Sequence, residues 1–200
     1  RNVSKKMEEN TIVLNGNNFV GDKIKLNTEK IDNNVNAVYL IIQNADITKE
    51  LLEKIHILKN LKKIWLTNCN ILEKFKTGKV ESLRVERCEN LVNIIFENNL
   101  KQLYIEDCKQ FDIKYITNLD LNVLRLEYIK IDNFSLLEGM KSLETLELKE
   151  IDLTNIDIKK LNYLNKIVLN GSKVNDRENI INYFKLQNIE IEFLEKNLPI

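Results

Sequence analysis

The sequence predicts a repeat solenoid. Three observations carry that prediction: an aliphatic triad recurs along nearly all of the 200 residues, its copies are evenly spaced, and a small polar or thiol side chain follows several of them at a fixed offset. Self-similarity at periods of roughly 20 to 50 residues marks architectures in which each unit buries its apolar face against its neighbours.

The triad is an aliphatic pair of the form L-x-L with a further aliphatic residue three positions before it. In chain order it reads Val35/Val38/Leu40, Leu61/Ile64/Leu66, Val80/Leu83/Val85, Leu100/Leu103/Ile105, Leu121/Leu124/Leu126, Leu143/Leu146/Leu148, Leu164/Ile167/Leu169 and Leu186/Ile189/Ile191. An N-terminal copy is Ile12/Leu14, with Glu9 in the first position. Successive starts lie 26, 26, 19, 20, 21, 22, 21 and 22 residues apart. Ile, Leu and Val make up about a third of the chain, yet all eighteen positions of the pair are aliphatic, which a favourable choice of register does not produce.

Between the triads the copies differ. Gly16 to Lys23 (GNNFVGDK) resembles a phosphate loop only superficially, because Asp22 separates Gly21 from Lys23 and no Ser or Thr follows; a turn of the repeat explains its glycines. In the second copy Ile47, Leu51, Ile55 and Leu58 fall at helical spacing behind Asp46 or Thr48, so a helix is expected there with one of the two as its cap. The copies of 19 and 20 residues are too short for a helix, and a tight or 3-10 return is expected in them and in most later copies. A brief helix is expected again at residues 176–184.

The pattern resembles that of the leucine-rich-repeat family, L-x-x-L-x-L-x-x-N/C-x-L, from about residue 9 to about residue 194. Asn17, Cys69, Cys88, Cys108 and Ser172 stand at the ninth position, while Gln43, Ile129, Ile151 and Leu194 depart from it. The resemblance implies an α/β fold: a right-handed solenoid with one short strand per repeat, a concave parallel sheet, and a convex side of short helices, 3-10 turns and irregular segments. It implies a single domain over residues 1–200, with 1–34 as N-terminal repeat or cap, 35–185 as central repeats and 186–200 as C-terminal repeat or cap. The five ninth-position side chains then form an inward-facing structural ladder. This reading takes the three cysteines as frame, since a structural zinc site needs about four ligands, often in close pairs. Three thiols in a buried row further suggest a reduced or inaccessible set without disulfide-stapled caps.

Composition narrows the function. Thirty basic and thirty acidic residues cancel, so no net field draws phosphate backbones or an anionic membrane, and nucleic acid is disfavoured as partner. No apolar run approaches the roughly 20 residues that span a bilayer. The chain begins with Arg1, which points to removal of upstream residues, and the reading leans to secretion over a cytoplasmic location. The sequons at Asn2, Asn133 and Asn170 are what so much Asn yields by chance. His56, the one histidine, falls in the expected helix with no nucleophile for the fold to set beside it.

In a strand, alternate side chains point to opposite faces, so the residue between each aliphatic pair faces outward. These residues are Val13, Tyr39, Trp65, Arg84, Tyr104, Arg125, Glu147, Val168 and Glu190. Beside them come Ile41, Thr67, Glu86, Glu106, Glu127 and Lys149, then Ile42, Asn68, Arg87, Asp107 and Tyr128. Tyr, Trp and Arg are enriched at binding hot spots. Tyr39, Ile41, Ile42 and Trp65 are expected to form one exposed apolar patch rimmed by charge, the usual mark of a contact site. Two internal pairings compete with that reading: Arg84 stacked on Trp65 and Tyr104, and Arg125 paired with Glu147.

Glu86, Glu106 and Glu127 repeat as a column rather than converging in a pocket, which argues against catalysis. The expected function is therefore a protein-protein interaction module with no cofactor and no metal. It engages a protein partner on its concave face through Tyr39, Ile41, Trp65, Arg84, Glu86, Arg87, Tyr104, Glu106, Arg125, Glu127 and Tyr128. The alternatives are an intracellular scaffold or a self-associating protein; monomer and end-to-end homodimer are both open, since no polar capping helix follows Ile191, Phe193 and Leu198.

Overall fold

The computed structural model describes residues 10–16 and 26–195. By contacts the chain divides into two compact units, Arg1–Leu100 and Lys101–Ile200, taken in turn. In the first, the strands Thr11–Asn15, Tyr39–Gln43, Lys63–Thr67 and Ser82–Glu86 pair in parallel, each with the next in the sequence. The second repeats this arrangement with Gln102–Glu106, Val123–Glu127, Thr145–Lys149, Lys166–Asn170 and Glu190–Leu194. In every strand but the last, the aliphatic pair points inward and is buried. Each such Leu or Ile contributes about 1.5–3 kcal/mol relative to an exposed one.

The register corrects the expected repeat in two copies. Leu40 and Ile42 pair with Ile64 and Leu66, so the second copy starts at Ala37 and its outward central residue is Ile41. Val35, the expected start, is 45% exposed, whereas Ala37 is fully buried. In the last copy Ile191 and Phe193 pair with Ile167 and Leu169, which makes the central residue Glu192 rather than Glu190. Leu186, the expected start there, ends a helix and is 82% exposed. The cause is the same in both copies: a shift of two residues preserves the inward face, and Val38, Leu40 and Ile42, or Ile189, Ile191 and Phe193, satisfy either register.

Counting the first aliphatic residue as position 1, the chain turns out of each strand at position 8. Asn44, Asn68, Arg87, Asp107, Tyr128, Glu150 and Gly171 hold that place with φ between 45° and 63°. The N–H of Asn44, Asn68, Asp107, Tyr128, Glu150 and Gly171 donates to the position-7 carbonyl of the next repeat, at 2.8–3.1 Å. The left-handed turn thus extends the ladder by one bond and aims position 9 inward.

There Cys69, Cys88 and Ser172 turn inward and bond to the backbone of the neighbouring repeat. The Ser172 hydroxyl donates to the Leu148 carbonyl (2.8 Å) and accepts from the Ile151 N–H (3.1 Å). Cys88 does the same with the Leu66 carbonyl (3.6 Å) and the Cys69 N–H (3.4 Å). Cys69 reaches the Ile42 carbonyl (3.4 Å), the counterpart of Leu66 and Leu148 only if the second copy starts at Ala37. Ala45, buried, therefore holds position 9 there rather than Gln43. All three cysteines are buried, and none is in a disulfide. Hydrogen bonding to Cys69, together with burial, pushes the Cys88 thiol up. Asn17 lies outside the described residues.

The returns follow copy length. The helix Lys49–His56 is capped by Thr48, whose hydroxyl accepts from the Leu51 N–H (3.3 Å), and it buries Leu51 and Ile55. Asp46 instead begins a two-residue strand paired with Asn70–Ile71. The helix Arg177–Leu186 is capped by Asp176 and buries Ile180 and Phe184. A third, short helix, Glu29–Asp32, buries Ile31. Elsewhere 3-10 turns serve, at Leu91–Asn93, Ile113–Tyr115, Phe134–Gly139 and Ile158–Lys160. Among the described residues no helix is long and apolar enough to cross a membrane.

Candidate functional site

Odd positions of each strand face out, so every strand of a unit adds three side chains to an open face. In the first unit the central row is Val13, Ile41, Trp65 and Arg84. Tyr39 sits one pleat away beside Lys63, not beside Trp65 as expected. Ile42 is fully buried, so it belongs to the core and drops out of the expected patch. What remains is an apolar strip of Val13 (40% exposed), Ile41, Trp65 and Tyr39, flanked by Lys63 and Arg84. Lys63 escaped the sequence reading because it precedes the aliphatic pair.

Arg84 closes one end of the strip. Its guanidinium lies 4.3 Å from the Trp65 ring centroid and its Nε–H donates to Glu86 Oε1. Glu86 is 5% exposed and also has Arg87 Nη2 at 3.8 Å. Burial pushes the Tyr39 phenol up, and the positive charge of Arg84 partly opposes this. Two polar atoms on Lys63–Thr67, Trp65 Nε1 and Thr67 Oγ1, are covered and lack a hydrogen-bond partner among the described residues. Leaving such a group unmade costs about 1–3 kcal/mol.

The open face of the second unit is closed upon itself. Its central row is Tyr104, Arg125, Glu147, Val168 and Glu192. The Tyr104 hydroxyl donates to Glu127 Oε2, and Lys149 Nζ lies 3.1 Å from Glu127 Oε1. Arg125 Nε lies 3.2 Å from Glu147 Oε2, the pairing expected from sequence. Lys166 reaches Glu192 at 3.2 Å and Glu190 at 3.7 Å. The hydrogen bond from Lys149 to Glu127 raises the Lys149 pKa. Glu106 shares the row of Glu127, while Tyr128 and Arg87 leave the strands altogether at position 8. Glu86 and Glu127, each within its own unit, are thus buried anchors for neighbouring cations.

No family model matches the sequence, and no curated protein does. Among solved structures, an internalin from Listeria monocytogenes superposes over 97% of this chain with a TM-score of 0.60 at 21% identity. That likeness covers a parallel sheet already shown to carry the position-8 turn and the position-9 ladder. The chain is a leucine-rich-repeat solenoid. It spans 64% of the internalin chain it matches. In this leucine-rich-repeat frame the aliphatic positions, the cysteines and Ser172 are accounted for by packing, and the outward rows are the positions left free to vary.

Proposed function

We propose that this leucine-rich-repeat chain is a non-catalytic binding module that engages a protein partner through the open face of its first unit. The observation that carries the proposal is the contrast between the two faces. In the second unit Tyr104, Arg125, Glu127, Glu147 and Lys149 satisfy one another, whereas the first presents Val13, Ile41, Tyr39 and Trp65 as an apolar strip. The unpartnered Trp65 Nε1 and Thr67 Oγ1 support the reading, because a chain under no other demand gains by satisfying such groups. Arg84 and Lys63 rim the strip and supply charge at its border, as in a contact patch with an apolar centre. Glu86 and Arg87 then act as rim and support, and Tyr39, Ile41, Trp65 and Arg84 as the centre.

The test is capture of the partner by wild-type protein and by two single variants, Trp65→Ala and Lys166→Ala. A buried aromatic anchor contributes about 2 kcal/mol or more, so Trp65→Ala should weaken retention more than tenfold while Lys166→Ala leaves it unchanged. Undiminished affinity of Trp65→Ala removes the proposal.

A further inference from the structure

The lengths of the second and third repeats differ, and the step between them leaves a cavity. The second copy spans 24 residues from Ala37 and carries the helix Lys49–His56; the third spans 19 from Leu61 and has no helix to lie against it. Beside the last turn of that helix is a cavity of about 330 Å³, within the range of roughly 300–1,000 Å³ typical of small-molecule sites. Its floor is apolar: Ile55, Leu58, Leu61, Ile64, Phe75 and Val80. Its far wall is a fixed turn. Gly78, at φ 57°, donates its N–H to Glu97 Oε2 (2.6 Å) and accepts at its carbonyl from Asn99 Nδ2 (3.1 Å), while Thr77 Oγ1 accepts from the Glu97 N–H (2.8 Å). The cavity is therefore preformed.

The rim is of one sign. Lys59, Lys76 and Lys79, all exposed, border the opening together with His56, and among the described residues no carboxylate lines it. None of these lysines forms an ion pair among the described residues, although Lys54 and Lys62 nearby pair with Asp32 and Glu81. Glu97, whose carboxylate approaches the turn from the following repeat, is engaged by the Gly78 N–H. In a chain whose charges sum to zero, three unpaired ammonium groups around an apolar floor are complementary to one chemical shape. That shape is a short hydrocarbon body with an anionic head, in which the body leaves water and the head takes up the lysines.

We propose that this cavity is a binding site for a single-chain amphiphile with a carboxylate head, a free medium-chain fatty acid. Ile64 points away from Trp65 on the same strand, so the site is separate from the partner face and does not depend on it.

The experiment is a methyl NMR titration of the whole chain with decanoate below its micellar concentration. Decanol serves as the uncharged match, and Lys76→Glu/Lys79→Glu as the charge-reversed variant, both substitutions being at exposed positions. The site predicts saturable shifts of the Ile55, Leu58 and Ile64 methyls with decanoate, at least tenfold weaker binding of decanol, and loss of decanoate binding in the variant. Absence of saturable shifts overturns the proposal, as does equal binding of decanol and decanoate, or decanoate binding unchanged by the reversal. Should the protein bind phosphatidylglycerol vesicles but not decanoate, the site is a membrane contact and the proposal fails.

Discussion

At the residue scale the chain accepts local strain to keep the repeat regular. Position 8 demands a left-handed backbone, which disfavours a side chain by about 1–2 kcal/mol except for Gly and, to a lesser degree, Asn and Asp. Asn44, Asn68, Asp107 and Gly171 suit that demand; Arg87, Tyr128 and Glu150 do not, yet they adopt it because the ladder on either side dictates it. Gly171 tests this. A Cβ built there would lie 2.7 Å from a Glu150 carboxylate oxygen, so Gly171→Ala combines backbone strain with displacement of that side chain. We expect a loss of about 1–2 kcal/mol in urea unfolding, and no loss would mean that the turn is not held left-handed.

The Glu127 cluster gives a second test at this scale. Its carboxylate is 5% exposed and depends on Tyr104 and Lys149. Lys149→Met should therefore cost roughly 1–3 kcal/mol at neutral pH. Because the Lys149 pKa is raised in the folded chain, its stabilisation is complete below about 10.4 and disappears as pH rises through the higher folded value. Urea midpoints of wild type and variant should therefore converge above that range. A gap that stays constant up to pH 12 would show that the charge of Lys149 plays no part.

At the element scale most of the fold was legible in the sequence and the register was not. Most triads, the helix after Asp46 or Thr48, the 3-10 returns and the brief helix near residues 176–184 follow from spacing, while the structure settles the caps as Thr48 and Asp176. The second and last copies were misplaced by two residues because inward alternation is blind to a shift of two. The deciding facts, buried Ala37 and exposed Val35 and Leu186, belong to packing against the neighbouring repeat. The candidate site inherited that error in Tyr39, Ile42 and Glu190. Burial of Glu86 and Glu127 was likewise illegible, since it depends on which neighbours fold over them. The ladder was legible, and it predicts a graded series. Cys88→Ala leaves the Leu66 carbonyl and the Cys69 N–H without their shared partner and should cost about 1–3 kcal/mol, whereas Cys88→Ser, the chemistry used at Ser172, should cost less. Equal losses in Ala and Ser would assign Cys88 a packing role alone.

On the scale of the whole molecule, repeats that touch only their neighbours allow outward residues to change while the frame persists. The first unit uses that freedom for an apolar strip around Trp65, the second for closed ion pairs. The proposed function has a partner cover the first surface, while the second is satisfied by its own ion pairs. Amide hydrogen exchange of the chain with and without its captured partner tests this most directly. We expect added protection in peptides covering Tyr39–Gln43 and Lys63–Thr67, with Lys166–Asn170 unchanged. Protection confined to the helix Lys49–His56 and the 3-10 turns, leaving both strands as in the free protein, would contradict it.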